Sequence, residues 1–199
     1  MKEIGRGAEA VILRTAGSVL KDRIVKNYRI KEIDSKLRKT RTRKEAKILE
    51  KLKEFAPKLI KTDSKSKIEM EYIEGSLVKH IIDDKPLLAK EIGKLTAIMH
   101  DKNIIHGDLT TSNIILQRAE RGKHNAIKFI DFGLSYESHK VEDKAVDLHL
   151  FREAVESKHF RKEKAIWTNF LKGYKPKNKA EILKRLEVVE KRGRNKQKY

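Results

Sequence analysis

The sequence predicts an α+β fold with a small β-rich N-terminal lobe, residues 1–74, and a reduced helical C-terminal lobe, residues 75–199. Short apolar runs separated by turn residues dominate the first lobe, whereas apolar residues three and four apart dominate the second. Motifs rich in Asp, Asn and Gly lie between the helices and strands predicted for the second lobe. A chain of 199 residues is long enough to bury a core in such a unit.

In the N-terminal lobe, residues 1–33 are predicted as short strands. Ala10–Leu13 and Val19–Leu20 are apolar runs that flank the turn-like segment Thr15–Ser18, a pattern typical of paired strands. Further strands are expected at residues 58–62 and 67–73.

One long helix is predicted over residues 34–55, with Asp34 or Ser35 as its N-terminal cap. Pro57 cannot continue a helix, so the helix is expected to end before it. Gly75 follows the last predicted strand of this lobe and is expected to act as a hinge between the lobes.

Helices are predicted for most of the C-terminal lobe. Residues 86–101 carry apolar side chains at helical spacing, and a last helix is predicted from Asn178 to about Gly193, with Glu181 placed for a capping box. The tail after it, residues 194–199, is expected to be mobile. The remaining elements are helices at 143–157 and 161–172, and strands at 114–116 and 126–130 around a turn at 118–125.

The composition excludes several kinds of site. Because no cysteine is present, disulfides, cysteine-type zinc sites and cysteine nucleophiles are excluded, and the seven histidines show no metal-ligand spacing. No stretch approaches the roughly 20 apolar residues that cross a bilayer, and no apolar signal region opens the sequence. We therefore expect a cytoplasmic protein without a membrane partner.

The net charge of +19 favours a polyanionic partner, most simply a nucleic acid. The charge is concentrated in two places. Lys36–Lys47 contains seven basic residues and one acid, and Lys191–Lys198 contains five basic residues and no acid. The alternative is that these lysines and arginines only solvate the surface.

The strongest motifs are His106–Asn113 and Asp131–Gly133, with a predicted strand between them. Phosphoryl transfer needs a carboxylate near the nucleophile and oxygen ligands that hold Mg²⁺ beside the phosphates. Asp108 is the candidate for the first role, and Asn113 and Asp131 are the candidates for the second. Each fragment alone also fits a turn, but the two in this order predict a phosphotransfer site.

The segment Gly5–Ala10 opens the chain with two glycines. Glycines allow backbone N–H groups to approach phosphates closely. A tight hairpin turn explains the same segment equally well. The candidate nucleotide contacts are Gly5, Gly7, Ala8, Glu9 and Ala10.

Lys21, on the following strand, is expected to reach the phosphates of a nucleotide. A buried lysine needs a carboxylate partner to offset its desolvation, and Glu45 on the long helix is the candidate. Two alternatives stay open: Lys26 competes with Lys21, or Glu45 is one more solvated charge on the helix surface.

Three further positions have two interpretations each. Met70, Glu71 and Ile73 either line an adenine pocket or belong to an ordinary edge strand. His106 is either a base or a structural histidine beside the Asp108 loop. Asp147 either accepts hydrogen bonds from the backbone of that loop or lies on a helix surface.

Together these motifs resemble the protein-kinase superfamily over nearly the whole chain, and they are most similar to the small atypical kinase/ATPase subunit of the KEOPS complex. The resemblance implies a minimal two-lobed protein-kinase-like fold, ATP and Mg²⁺ as cofactors, and ATPase or serine/threonine kinase activity with Asp108, Lys21 and Glu45 as catalytic residues. The segments that carry it are Gly5–Ala10, Val19–Arg23, Arg41–Ala46, His106–Asn113, Asp131–Ser135, Glu142–Leu148 and Lys191–Arg194.

The resemblance also implies partners. It implies a role in the threonylcarbamoyl-adenosine modification of tRNA, with tRNA bound through Lys36–Lys47 and Lys191–Lys198. It further implies contacts with the metalloprotein transferase subunit of KEOPS and with a small regulatory subunit.

The chain departs from ordinary protein kinases at three places. Gly107 stands where an arginine would pair with a phosphorylated activation loop, and Thr110 stands where a lysine would assist the γ-phosphate. No Ala-Pro-Glu motif follows Gly133. We therefore expect water, or a residue of a bound partner, to be the phosphoryl acceptor.

Other functions fit parts of the pattern. A RIO-type atypical kinase would be equally basic, and small-molecule phosphotransferases share the His-Gly-Asp motif but need a larger C-terminal lobe and an acidic acceptor pocket. If the chain were a non-catalytic RNA-binding scaffold, some of the catalytic and metal-binding residues would be replaced. None of Lys21, Asp108, Asn113 and Asp131 is lost.

Overall fold

The computed structural model describes residues 1–119 and 125–196 of the chain. Its N-terminal part is a five-stranded antiparallel sheet with the strand order β1-β2-β3-β5-β4. The helix α1, Lys31–Lys51, packs on this sheet through Ile48 and Leu49. The strands of the sheet are β1 (Lys2–Arg6), β2 (Ala10–Arg14), β3 (Ser18–Arg23), β4 (Leu59–Thr62) and β5 (Lys67–Glu71).

The C-terminal part is mainly helical, which confirms the predicted α+β fold. Its helices are α2 (Leu88–Asp101), α3 (Val141–Lys158), α4 (Glu163–Gly173) and α5 (Lys179–Lys196). Two small antiparallel sheets carry the loops of the predicted site, one formed by β6 (Gly75–Leu77), β8 (Ile114–Gln117) and β9 (Ala126–Phe129), the other by β7 (Ile104–Ile105) and β10 (Tyr136–Glu137).

The helices α2 and α4 approach each other at backbone contact. A Cβ on Gly93 would collide with the carbonyl oxygen of Phe170, and one on Gly173 would collide with that of Lys90. Phe170 and Phe151 stack in the core beside this contact. The glycines thus allow a dense helical base that supports the loops above it.

The N-terminal boundary and cap predicted for α1 are wrong. The helix spans Lys31–Lys51 rather than 34–55, and no side chain caps its start. Asp34 lies in the first turn instead, where its buried carboxylate accepts hydrogen bonds from Arg38 Nε at 2.7 Å and the backbone N–H of Lys26 at 3.3 Å. The side chain of Arg38, one turn along the same helix, and a backbone N–H before the helix therefore replace the cap that the local pattern indicates.

Gly75 is required by packing between strands, and its role as a hinge between the lobes stays a prediction. It pairs with Gln117 in the antiparallel ladder of β6 and β8. A Cβ at this position would collide with the carbonyl oxygen of Leu116. The lobe boundary at residues 74 and 75 stays a prediction.

The last helix begins as predicted but extends further. Asn178 precedes α5, and its carbonyl accepts from the N–H of Ile182 at 3.0 Å. The helix continues through Gly193 to Lys196, so residues 194–196 are not the loose tail that the sequence predicts. Residues 197–199 of that tail, and residues 120–124 of the turn predicted at 118–125, lie outside the described residues.

In the described part of the chain, no helix is long and apolar enough to span a membrane.

Candidate active site

The glycine-rich segment forms the turn between β1 and β2. Within the turn, the N–H of Gly7 donates to the carbonyl of Ala10 at 2.9 Å. Gly7, Ala8 and Ala10 line a cleft below the turn, whereas Gly5 lies within β1 opposite Ile12. The turn therefore brings most of the predicted phosphate contacts to one cleft.

Glu9, in the same turn, is paired with two arginines. Its carboxylate accepts from Arg29 Nη2 at 2.8 Å and lies 3.1 Å from Arg41 Nη1. The hydrogen bond from Arg29 is the main cause that holds the pKa of Glu9 below its ordinary value. Glu9 thus ties the turn to α1 and to the segment before it.

Lys21 and Glu45 form the predicted ion pair. Lys21 Nζ lies 2.7 Å from Glu45 Oε1, and both side chains are buried. Arg23 Nη2 contacts the other carboxylate oxygen, Glu45 Oε2, at 2.5 Å. Alternate residues of a strand point to the same face, so the spacing of Lys21 and Arg23 on β3 was the available signal for this second cation.

Asp131 closes the cluster from the C-terminal side. Its Oδ1 lies 2.6 Å from Lys21 Nζ, and its side chain is 53% exposed to the cleft. The residue has a φ of 60°, in the left-handed region that non-glycine residues seldom adopt. Such strain, held by surrounding structure, is typical of functional positions.

Charge sets the protonation of this cluster. Burial alone would lower the pKa of Lys21, but the carboxylates of Glu45 and Asp131 raise it above its ordinary value. Burial would likewise raise the pKa of Asp131, but the ammonium of Lys21 holds it below its ordinary value. Both groups are therefore charged at neutral pH, which a phosphate and metal site requires.

Asp108 and Asn113 meet on the loop between β7 and β8. Asn113 Nδ2 donates to the carboxylate oxygen Oδ2 of Asp108 at 2.8 Å and to its backbone carbonyl at 2.9 Å. Because its nitrogen is used in this way, the amide oxygen of Asn113 is the atom left to contact a metal. Asp108 lines the same cleft as Lys21 and Asp131.

Asp147 braces this loop from α3, as one of its two interpretations predicts. Its carboxylate accepts from the backbone N–H groups of His106 at 2.8 Å and Gly107 at 2.9 Å. Gly107 has a φ of +77°, and a Cβ there would collide with the carbonyl oxygen of Leu134. The glycine in place of an arginine is thus also required by the local backbone.

His106 is a structural histidine. It is fully buried, and its Nδ1 accepts from the backbone N–H of Asp108 at 3.3 Å. Burial holds the pKa of its imidazole below the ordinary value, against the opposing charge of Asp147. Its ring packs 4.9 Å from that of Phe132, so it fills the core beneath the loop.

A second brace escaped the sequence-based prediction. His159, buried at the end of α3, contacts Thr111 Oγ1 through Nε2 and Asp83 Oδ1 through Nδ1, each at 3.0 Å. Thr111 belongs to the Asp108 loop, so this chain of contacts fixes the loop from the opposite end. No local pattern around His159 indicates these partners, which lie 48 and 76 residues away.

The adenine-side residues also line a cavity. Met70, Glu71 and Ile73 share it with Lys21 and Asn113. The N–H of Glu71 donates to the carbonyl of Lys58 at 2.9 Å, so this group is already used within the fold. An adenine in this cavity would lie between the N-terminal sheet and β8.

The donor set fits Mg²⁺ bound together with phosphates. Asp131 offers a charged oxygen, and Asn113 offers a neutral one in the same cavity. Among the described residues, no group of three or more His, Cys, Asp or Glu side chains is placed to hold a metal alone. That sparse set suits Mg²⁺, which retains waters and takes phosphate oxygens as ligands.

The basic cluster Lys36–Lys47 divides into two faces. Arg38 and Arg41 turn inward, where they contact Asp34 at 2.7 Å and Glu9 at 3.1 Å. The outward side chains are those of Lys36, Lys39, Arg43, Lys44 and Lys47.

In the second cluster, Arg192 donates to Glu142 Oε1 at 3.0 Å. The side chains beyond it lie outside the described part of the chain. Because Arg38, Arg41 and Arg192 are paired with acids, these three residues add less to the positive surface than the sequence suggests.

Solved structures share this architecture. The Rio2 kinase of Chaetomium thermophilum, in an ADP/Mg²⁺–phosphoaspartate complex, superposes with a TM-score of 0.63 over 96% of this chain and 70% of that chain, at 15% identity. WaaP in complex with acyl carrier protein gives a TM-score of 0.59 over 96% and 88%, at 14% identity. At such identities these likenesses show the fold alone.

Sequence relatives are closer. The chain is 39% identical to the KEOPS complex subunit Bud32 of Pyrococcus abyssi, over 98% of this chain and 96% of that protein. It is 42% identical to the EKC/KEOPS complex subunit BUD32 of Encephalitozoon cuniculi, over 96% and 95%. A probable bifunctional tRNA threonylcarbamoyladenosine biosynthesis protein of Methanobrevibacter smithii is 42% identical, and the chain covers 36% of its length.

The family model described as a protein kinase domain matches residues 1–170, which include every residue of the cleft described above. The full-length identity to the Bud32 subunits extends the match to the C-terminal helix. The chain therefore belongs to the protein kinase domain family and, within it, to the Bud32 family.

Proposed function

We propose that this chain is an Mg-ATP-dependent phosphotransferase, an atypical serine/threonine kinase or ATPase, that works in the cytoplasm as a subunit of a KEOPS complex in tRNA threonylcarbamoyladenosine modification. One observation carries the enzymatic part. Lys21, Glu45 and Asp131 form a charged cluster in the cleft that Asp108 and Asn113 also line. The names of the full-length relatives support the part that concerns the complex.

In the proposed reaction, each residue has a separate task. Lys21, oriented by Glu45, holds the α- and β-phosphates, and the turn at Gly7–Ala10 covers them with backbone N–H groups other than that of Gly7, which donates to Ala10. Asp108 orients the acceptor hydroxyl or water and takes its proton. The bond from the γ-phosphorus to the β,γ-bridging oxygen breaks, a bond to the acceptor oxygen forms, and ADP leaves.

Asn113 and Asp131 would hold the metal. When bound, Mg²⁺ neutralises phosphate charge and makes the γ-phosphorus more susceptible to attack. Lys21 must then exchange its contact with Asp131 for the phosphates, while Glu45 remains paired with Arg23. Arg23 therefore keeps the buried carboxylate of Glu45 satisfied whichever partner Lys21 holds.

The partners follow from the same proposal. The chain would contact the metalloprotein transferase subunit and a small regulatory subunit, and would bind tRNA through the outward residues of Lys36–Lys47 and through Lys191–Lys198. Contacts to phosphates would make tRNA affinity fall with salt by a log–log slope of about 0.7–0.9 for each phosphate neutralised. Replacing Lys36, Lys39 and Lys44 by Gln would lower that slope.

The experiment follows the label of γ-labelled ATP with Mg²⁺, using the chain alone and then with tRNA and the transferase partner. Free labelled phosphate that increases with the partner supports an ATPase in tRNA modification. Label on protein serine or threonine supports a protein kinase. Bound ATP without turnover in every mixture contradicts the enzymatic proposal and favours a scaffold.

A further inference from the structure

Arg41 lies in the phosphate half of the cleft. It precedes Glu45 by one turn of α1, so the two side chains share a helix face. It lines the same cavity as Lys21, Asp108 and Asp131. Its side chain is 28% exposed, which leaves it accessible to a ligand in that cavity.

The loop that carries Asp108 contains no lysine or arginine from His106 to Asn113. Thr110 stands where a lysine would assist the γ-phosphate. His106 cannot replace that lysine, because burial keeps the pKa of its imidazole below the ordinary value and its ring lies beneath the loop. The charge that develops on a transferring phosphoryl group therefore lacks a side-chain cation from this loop.

The other cations of this cavity are occupied. Lys21 is shared between Glu45 and Asp131. Arg23 also lines the cavity, but it is 4% exposed and its Nη2 holds Glu45 at 2.5 Å. Arg23 is accordingly a positioning residue. Under the proposed function Lys21 is assigned to the α- and β-phosphates, which leaves Arg41 as the cation lining this cavity for the γ-phosphate.

We propose that Arg41 contacts the γ-phosphoryl group of ATP and stabilises the transition state of its transfer, in place of the cation that the Asp108 loop lacks. This inference rests on the proposed function. A guanidinium suits the task because its planar set of donors binds two phosphate oxygens at once and keeps its charge at any working pH.

The contact that Arg41 makes in the structure can be released at little cost. Its partner Glu9 also accepts from Arg29, through Nη2 at 2.8 Å and Nη1 at 3.4 Å. Glu9 therefore stays paired when Arg41 leaves it. Variants of Glu9 and Arg41 can therefore distinguish a phosphate contact of Arg41 from a structural role of the Glu9–Arg41 pair.

The test compares wild type with Arg41→Gln and Arg41→Lys in single turnover of γ-labelled ATP with Mg²⁺. For Arg41→Gln we expect the rate to fall about 10²–10³-fold, within the range for a donor or arginine that acts on the transition state. Affinity for ADP should change less than about twofold, because ADP has no γ-phosphate. Arg41→Lys should recover part of the rate, since it restores the charge without the planar geometry.

Two controls make the result specific. Arg161→Gln makes the same chemical change at an exposed arginine outside the cleft, and should leave turnover as in wild type. Glu9→Gln breaks the contact between the turn and Arg41. If Arg41 acts on phosphate, the fold-loss of rate in Glu9→Gln should be at least tenfold smaller than that in Arg41→Gln. Equal losses in Glu9→Gln and Arg41→Gln would overturn the proposal in favour of a tether.

Two other outcomes would also overturn it: wild-type turnover in Arg41→Gln, or an equal loss of ADP affinity and rate in that variant. If wild type itself shows no turnover, the proposed function fails, and the ratio of ATP to ADP affinity still tests Arg41. That ratio should then fall about tenfold in Arg41→Gln, as expected for the loss of one charged phosphate contact, and an unchanged ratio would reject the role of Arg41.

Discussion

Two buried carboxylates support the cleft from opposite sides, and they are held by different kinds of partner. Glu45, on the N-terminal side, is paired with the buried side-chain cations of Lys21 and Arg23. Asp147, on the C-terminal side, accepts mainly from the backbone N–H groups of His106 and Gly107, and His100 Nε2 lies 3.2 Å from the same carboxylate. Ligand-dependent rearrangement is therefore expected on the side of Glu45, whereas the loop above Asp147 is formed in advance.

The largest effect is expected where the two sides meet, at Asp131. The change Asp131→Ala removes the carboxylate proposed for Mg²⁺ and one partner of Lys21. ATP turnover should fall at least about 10³-fold, since the charged transition state loses its metal contact. The melting temperature should change little, because the side chain is 53% exposed. Full activity in this variant would show that Asp131 does not hold the metal.

The next largest effect is expected for Asp147→Ala, which tests the C-terminal side of the cleft. The substitution removes the acceptor of the N–H groups of His106 and Gly107 and the partner of the buried His100 Nε2, and each buried group left unpaired costs about 1–3 kcal/mol. We expect the free energy of unfolding to fall by about 2–5 kcal/mol in urea titrations. Glu153→Ala, on the exposed face of the same helix, should change it by less than about 0.5 kcal/mol. Equal values for the two variants would contradict the bracing role.

On the exchangeable side, Glu45→Gln should act on catalysis and, because Lys21 and Arg23 are both buried, also lower stability. Lys21 and Arg23 lose their shared charge, and misplaced phosphate contacts cost about 10²-fold in turnover. The expected signature is a lower kcat together with a higher KM for ATP. Glu50→Gln makes the same change on the exposed face of α1 and should leave both constants unaltered. A Glu45→Gln variant with normal kinetics would remove Glu45 from the mechanism.

The smallest effect concerns pH and His106. Because burial lowers the pKa of this imidazole below 6.5, the folded state favours its neutral form. Its contribution to stability is complete above the unfolded pKa of 6.5 and is lost as pH falls below that value, at most about 1.4 kcal/mol per pH unit. Unfolding titrations between neutral and mildly acidic pH should therefore show a smaller slope in His106→Gln than in wild type. Identical slopes would contradict the assignment.

The sequence predicted contacts that follow from the order of the motifs. The ion pair of Lys21 with Glu45 is confirmed, and of the two interpretations of Asp147 the structure shows the bracing contact. The missed features depend on contacts that motif order does not indicate. Asp34 pairs with Arg38 one turn along the same helix instead of capping it, and His159 contacts Thr111 and Asp83, which lie 48 and 76 residues away.

Charge counting had a similar limit. The sequence-based prediction takes Lys36–Lys47 as one basic surface, but the carboxylates of Glu9 and Asp34 draw Arg41 and Arg38 inward. A count of basic residues records neither the acids that neutralise them nor the face on which they lie. The segment Lys36–Lys47 therefore has two roles: its outward residues form the surface proposed for a polyanion, and Arg41 lines the cleft.

The central claim is that this cleft binds Mg-ATP and that Asp108 acts in the chemical step. The most direct measurement is the affinity for Mg-ATP and the turnover of γ-labelled ATP, both compared between wild type and Asp108→Ala. Because Asp108 would contact the acceptor rather than the nucleotide, we expect an affinity within about threefold of wild type and a turnover at least about 10²-fold lower. Undiminished turnover in Asp108→Ala would contradict the account.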